Sequence, residues 1–312
     1  KWKFYSLTKD SSDTPVVNLF VANDGWLYVG TAKGVSRFRD DKWESIPLGL
    51  GLGDPLEHPY NKVPIIQSSD NSIWIGTHQG AVRIKDGQMT LYRENEVFPQ
   101  YNKNKNINDL QKLSPFDIYS IFEDESGKMW FGIRDGRIFH GQFQNSDMNS
   151  NPSWHRVDTE PGYVRTKFPL VKISSSGKVF VVSGQNDGGI NIFSGNRWKL
   201  FKAKHLYGID DLYSDVIELQ DGSMCVGGVG RVFIYNNDTW KMYESSTLPF
   251  SSNRLILYQS RDQNLWIMGL SNEVWRIDLS YQHWVTLRGL SFQTEDKNGG
   301  KWFISVDGAI VQ

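Results

Sequence analysis

Asn71-Ser72-Ile73-Trp74-Ile75-Gly76-Thr77, running on to Gly80-Ala81-Val82-Arg83-Ile84, is one copy of a phrase that this chain repeats seven times. The phrase is a polar turn, a strand carrying an aromatic, a small-residue loop with glycine, and a second strand. Another clear copy is Asp24-Gly25-Trp26-Leu27-Tyr28-Val29-Gly30-Thr31, leading to Gly34-Val35-Ser36-Arg37-Phe38. Aligned on the first-strand aromatic, the copies centre on Tyr28, Trp74, Trp130, Phe180, Cys225, Trp266 and Trp302, at intervals of 36 to 56 residues. A recurrence of this length marks a repeat array. The turns before these positions are Asp24-Gly25, Asp70-Asn71, Ser126-Gly127, Ser176-Gly177, Asp221-Gly222, Gln263-Asn264 and Asn298-Gly299-Gly300. Such residues tolerate positive φ, so hairpin turns of the primed types are expected there.

A second periodic element follows six of the copies: Trp43/Ile46, Met89/Tyr92, Trp154/Val157, Trp198/Phe201, Trp240/Tyr243 and Trp284/Leu287. The seventh stands at the other end of the chain, in Trp2-Lys3-Phe4-Tyr5, while the last copy stops at Gly308-Ala309-Ile310-Val311-Gln312. The N-terminal strand is therefore expected to complete the last unit, which closes a ring and leaves no open sheet edge between first and last. The fold class expected is all-β, a seven-bladed β-propeller with four antiparallel strands per blade. In the first blade the strands are expected at about 16–22, 26–31, 35–39 and 42–46. The whole of 1–312 reads as one propeller domain.

Composition agrees with a packed core and removes several functions. Aromatics make up 13% and hydrophobic residues 39% of the 312 residues, enough bulk to pack between sheets. The formal net charge of −1 argues against a general nucleic-acid or anionic-membrane binder, which needs a basic face. No apolar run approaches the roughly 20 residues of a helical membrane span. Cys225 is the single cysteine, so an intramolecular disulfide is impossible, and it stands at a core aromatic position. The six histidines, His58, His78, His140, His155, His205 and His283, are spread over different repeats and loops without metal-type spacing. No metal or cofactor is expected.

The run Trp74-Ile75-Gly76-Thr77-His78-Gln79-Gly80-Ala81-Val82-Arg83-Ile84 resembles the two-component-regulator propeller repeat. Residues 28–38 and 130–139 are the next best copies, with Ile133 in place of the threonine; later copies keep less of the Gly-Thr. The resemblance implies a periplasmic or extracellular ligand-sensing propeller of a bacterial hybrid two-component or related signalling receptor, anchored in the inner membrane through segments absent from this chain. It also implies a glycan fragment as a common type of signal. The start at Lys1, with no signal-like segment, fits a domain cut from a longer protein or a matured chain.

In a four-stranded blade the outer-to-inner connections share a face with the loops between second and third strands. Most of the extra length lies in those connections, at 47–64, 93–115, 158–169, 202–214 and 244–252, and long loops on a rigid scaffold are the usual carriers of function. The short loops of that face supply Lys33, His78, Gln79, Arg134, Asp135, Gln185, Asn186, Asp187, Asn272 and Asp307 as candidate ligand-binding residues, with Ser271 beside them. Both charge signs together with amides suit a small polar or zwitterionic ligand such as an oligosaccharide. Tyr60, Phe98, Tyr101 and Phe116, on long loops, read as sugar-stacking residues or as loop anchors.

No catalytic residues are expected. There is no Gly-x-Ser-x-Gly elbow. The turn Asp124-Glu125-Ser126-Gly127-Lys128-Met129-Trp130 is faintly similar to a sialidase Asp-box, but only Arg134 stands where that chemistry needs three arginines. A streptogramin-lyase-like site needs a metal-binding histidine and glutamate pair near the mouth, and His78 has no partner evident in the sequence. The alternatives are a protein-interaction or dimerisation scaffold, with the insertion at 141–153 as its surface or a disordered excursion, and a propeller glycosidase or lyase.

Overall fold

Seven alternations of short apolar runs with turn residues give seven separate four-stranded antiparallel sheets. The computed structural model describes residues 4–5, 16–31, 34–48, 63–93, 117–143, 153–157, 162–164, 169–174, 176–183, 189–194, 197–202, 213–228, 231–237, 239–244, 255–260, 262, 264–268, 273–278, 283–307 and 309–312. The chain is an all-β, seven-bladed propeller. Blade one is β2 (Val16–Val21), β3 (Leu27–Thr31), β4 (Gly34–Arg39) and β5 (Lys42–Ile46); blade two is β6 (Ile65–Gln67), β7 (Ile73–Thr77), β8 (Gly80–Lys85) and β9 (Gln88–Tyr92). Blade three is β10 (Ile118–Glu123), β11 (Lys128–Ile133), β12 (Ile138–Gln142) and β13 (Ser153–Arg156). Blade four is β14 (Pro169–Ile173), β15 (Val179–Ser183), β16 (Ile190–Ser194) and β17 (Arg197–Phe201). Blade five is β18 (Tyr213–Glu218), β19 (Met224–Gly228), β20 (Arg231–Asn236) and β21 (Thr239–Glu244); blade six is β22 (Ile256–Gln259), β23 (Asn264–Met268), β24 (Glu273–Asp278) and β25 (His283–Arg288). Blade seven is β26 (Leu290–Glu295), β27 (Lys301–Ser305), β28 (Ile310–Val311) and, outermost, β1 (Phe4–Tyr5), with Phe4 opposite Val311 and Tyr5 opposite Ile310.

The blades fall into two compact units. One is Thr14–Glu160 with Arg165–Val171 and holds blades one to three; the other is Lys1–Asp13, Pro161–Val164 and Lys172–Gln312 and holds blades five to seven and most of blade four. In the first unit Trp74, Phe131 and Phe139 are buried with Ile118 and Ile133, and Phe143 and Trp154 pack against them. In the second, Phe180, Tyr213 and Phe233 form a similar cluster, and Cys225 is fully buried beside Leu255, Ile267 and Trp275. Burial pushes the Cys225 thiol up, away from thiolate chemistry.

The hairpins between first and second strands differ from the sequence expectation. In all seven blades the residue six before the core position accepts or donates the closing bonds, from Ala22 N to Trp26 O (2.8 Å) through Asp296 N to Gly300 O (2.9 Å). Only the last residue of each described loop, the one before the second strand's closing residue, is left-handed, for example Gly25 (φ 91°) and Asn71 (φ 65°). That is the three-residue loop in which a type I turn precedes one left-handed residue, not a primed two-residue turn. Primed geometry occurs instead between third and fourth strands, where Asp40 and Asp41 (φ 51° and 59°) and Asp86 and Gly87 (φ 50° and 76°) are left-handed in succession.

The glycine at the position of the Gly-Thr signature, kept where the threonine is not, serves blade-to-blade approach. A Cβ on Gly132 would lie 2.5 Å from both Pro169 O and Ser120 Oγ, and one on Gly227 would lie 3.0 Å from Leu255 Cβ. Polar residues near the start of the inner strands bond across the same seam: Asn18 Nδ2 donates to Val63 O (2.6 Å), Ser120 Oγ to Pro169 O (2.9 Å) and Ser214 Oγ to Leu255 O (2.6 Å). At the other end of the inner strand, the final residue takes a bond from the preceding blade's turn. Gln67 Oε1 accepts from Asn23 N (2.8 Å), Glu123 Oε2 from Ser69 N (2.6 Å) and Gln259 Oε1 from Gln220 N (2.8 Å).

Candidate functional site

The second-to-third-strand loop of blade two is held by its own threonine. Thr77, buried, donates from Oγ1 to Gly80 O (2.8 Å) and accepts from Gln79 N (3.1 Å), which leaves His78 and Gln79 at the tip. Thr31 Oγ1 bonds Gly34 O (3.1 Å) in blade one, and Ser305 Oγ bonds Ala309 O (3.1 Å) in blade seven, so the Gly-Thr or Ser signature is a loop clamp. In blade three, Ile133 occupies that position, and the loop closes through Gly136 N to Ile133 O (2.8 Å).

His78 and Arg134 meet on Asp117. The Asp117 side chain lies just before β10, and the residue is only 7% exposed. Its Oδ2 stands 3.2 Å from His78 Nδ1 and 2.8 Å from Arg134 Nε, and its backbone oxygen accepts from Arg134 N (2.9 Å). A buried carboxylate needs such pairing, since desolvation without a partner costs several kcal/mol. The arrangement fixes an imidazole and a guanidinium side by side, each about a quarter exposed, on one carboxylate. Asp117 therefore supplies the partner that the sequence did not show for His78. The one visible signal is a charge standing between Phe116 and Ile118 at the start of an apolar strand.

The other candidates divide. Asp135 is spent inside its own loop, where Arg137 Nε donates to Oδ2 (2.7 Å) and Oδ1 (3.0 Å) and Arg137 N to Oδ1 (3.1 Å). Asp307 follows β27 in the second unit and accepts from Ser305 Oγ, which holds its carboxyl below the usual range. Lys33, Gln185, Asn186, Asp187, Ser271 and Asn272 lie outside the described residues, as do Tyr60, Phe98, Tyr101, Phe116 and most of the long connections.

A cleft of about 400 Å³ opens at the opposite end of the same unit, between the Ser68–Ser72 and Asp124–Lys128 turns. Arg83, 3% exposed, lines it and donates from Nε to Ser72 Oγ (3.0 Å) and from Nη2 to Asp70 Oδ2 (2.5 Å), with Lys85 Nζ 3.0 Å from the same oxygen. Burial alone would raise the Asp70 carboxyl, but hydrogen bonds from Ser68, Ser72 and Lys85 hold it well below the usual carboxylate range. Arg83 also lies 5.6 Å from the centres of the Trp74 and Phe143 rings. Phe143, at the start of the 141–153 insertion, packs against Trp74, Tyr92 and Trp154, while residues 144–152 lie outside the described residues.

The Asp-box-like turn is structural too: Asp124 Oδ2 accepts from Trp130 Nε1 (2.8 Å), and Oδ1 from Ser126 N (2.9 Å) and Lys128 N (3.0 Å). Among the described residues, no group of three or more His, Cys, Asp or Glu side chains is placed to hold a metal.

No protein-family model matches the chain, and no curated protein matches it. Solved structures do. The extracellular domain ascribed to the hybrid two-component system BT3049 of B. thetaiotaomicron matches 99% of this chain at 18% identity and a TM-score of 0.73. The corresponding domain of BT4673 from the same organism matches 100% at the same identity and TM-score. This chain has their fold. It spans 40% and 42% of those two chains. Virginiamycin B lyase of Staphylococcus aureus, determined as an inactive variant with quinupristin, matches over 100% of this chain and 98% of its own at 15% identity and a TM-score of 0.67. The fold therefore hosts both signalling receptors and an enzyme, and function rests on the site.

Proposed function

We propose that this chain is the non-catalytic, ligand-sensing propeller of a bacterial signal-transduction receptor, exposed to the periplasm or the cell exterior. It forms one sensory domain, a piece of a longer receptor. The ligand is small and polar, an oligosaccharide in the first instance, and it docks on the face of the second-to-third-strand loops. The observation that carries this reading is the Asp117 bridge. It presents a hydrogen-bonding imidazole and a planar guanidinium donor from adjacent blades in fixed orientation, the kind of preorganised polar pair that selects hydroxyl-rich ligands. The similarity to extracellular domains of two-component systems supports the same reading.

The test is isothermal calorimetry with a panel of oligosaccharides. One member is expected to bind, and Arg134→Ala to weaken it at least tenfold. No heat with any glycan would remove the oligosaccharide assignment. A bound ligand indifferent to Arg134→Ala would remove the site.

The His78–Asp117 pair favours one second reading, acid–base catalysis at the same place, since a carboxylate on Nδ1 orients an imidazole for proton transfer at Nε2. Mass spectrometry separates the two: a bound ligand recovered unchanged after prolonged incubation supports sensing, and a converted one supports catalysis. A scaffold role has less support. The exposed large hydrophobics among the described residues are Met89, Val164 and Val306, which stand singly in different blades or connections.

A further inference from the structure

The histidines are expected in different repeats or loops, but His140 and His155 share blade three and are direct neighbours. They are opposite each other on β12 and β13, and their ring centres are 5.1 Å apart. On the other side of His140, the ring of Trp130 of β11 packs tilted against it with centres 4.7 Å apart, so three rings form a ladder across three strands of blade three. His140 is half-buried under this ladder and His155 is exposed at the outer strand.

We propose that His140 and His155 form a two-imidazole site for a divalent transition metal of the Cu²⁺, Ni²⁺ or Zn²⁺ type, with water completing the coordination. Metal–nitrogen bonds of about 2.0–2.1 Å need ring nitrogens within about 4.2 Å of each other. Rings centred 5.1 Å apart come within that span when the exposed His155 turns about its side-chain bonds. Neighbouring antiparallel strands hold the two Cβ atoms at a fixed separation, so little order has to be created on binding. Imidazole nitrogen selects these ions over Mg²⁺ or Ca²⁺, which prefer oxygen.

The two ligands flank the connection 143–152, so an ion would tie the third strand of the blade to its outermost strand on either side of that insertion.

Calorimetric titration of the whole chain at pH 7 tests the site with Cu²⁺, Zn²⁺ and Mg²⁺ as probes. The expected result is one site per chain, tighter for Cu²⁺ than for Zn²⁺, with no heat from Mg²⁺. His155→Ala, an exposed change that leaves the core intact, is expected to weaken Cu²⁺ at least tenfold. A second readout is tryptophan fluorescence: Cu²⁺ quenches Trp130 through its contact with His140, and the quenched fraction is expected to fall in both His155→Ala and Trp130→Phe. Identical isotherms for the wild type and His155→Ala overturn the proposal, and so does Cu²⁺ binding that leaves the Trp130-dependent fluorescence unchanged.

Discussion

His140 shows how a single residue ties packing to pH. Its pKa is about 4 in the folded chain against an ordinary value of 6.5, because burial between Trp130 and His155, with Lys128 nearby, disfavours the charged ring more than Asp124 favours it. Above pH 6.5 the ring is neutral in both folded and unfolded chains and contributes no pH dependence. As pH falls from 6.5 towards 4, the unfolded chain takes up a proton that the folded chain refuses, so stability is lost across that window. Below about 4 both states carry the proton and the loss stops growing. At about 1.4 kcal/mol per unit, discounted for the ring's partial contact with water, the loss comes to about 1–2 kcal/mol. His140→Phe keeps the ring ladder and removes the titration. Urea unfolding at pH 7 and pH 4.5 should therefore show a smaller stability difference in the variant than in the wild type. Carboxylates such as Asp296, whose pKa is lowered, also lose stabilisation on acidification, and they act in both proteins alike. An equal difference in the two proteins would place the pH dependence elsewhere.

At the scale of the strand and blade, the Gly-Thr signature separates into two jobs that the repeat phrase did not reveal. The threonine closes its loop, and the glycine admits the next inner strand. Gly132→Ala would press a methyl group onto the Pro169 backbone carbonyl and Ser120 Oγ, and the backbone offers no rotamer escape. A destabilisation of about 1–3 kcal/mol is expected, read as a lower midpoint in thermal or urea unfolding with the β-rich circular dichroism spectrum retained at low temperature. No change would mean that the seam can widen. The strands themselves were legible, because alternating apolar residues and turn formers set them within a residue or two, as 16–22 expected against Val16–Val21 found. The turn type was not, since Asp-Gly fits a primed turn and a type I turn with one left-handed residue equally well until the loop is counted. The latches at Gln67, Glu123 and Gln259 were invisible for another reason. Their partners lie 44, 54 and 39 residues away, in a different repeat, and a period shows that units recur without showing what one unit bonds in the next. The same limit hid Asp117 from His78, whereas His140 and His155 belong to one blade and their register was hidden by the insertion between their strands.

For the whole molecule, the N-terminal strand makes the contact of greatest sequence separation among the described residues, and it is the one that the missing outer element in the last repeat foretold. Phe4 and Tyr5 pair with Val311 and Ile310, so the outermost strand of blade seven comes from the opposite end of the chain. The inner neighbours of that pairing are among the best-buried residues of the blade: Ile310 is 0% and Val311 1% exposed. Deleting residues 1–6 would open the β28 ladder and partly uncover both side chains, at a cost of about 2–4 kcal/mol. It would also create an unpaired apolar edge, the template for intermolecular pairing that complete blades avoid. Scanning calorimetry should show a lower melting temperature for the truncated chain. Size-exclusion chromatography should show stronger concentration-dependent association than that of the intact chain. Because a deletion could also act through lost solubility, a milder variant separates the causes: Tyr5→Pro keeps the chain length and most of its composition but cannot keep a regular β1–β28 pairing. If that variant melts with the wild type and stays in the same oligomeric state, the seventh blade holds without its borrowed strand and the closure is dispensable. If it follows the truncation, the stability of the seventh blade depends on joining the first residues of the sequence to the last.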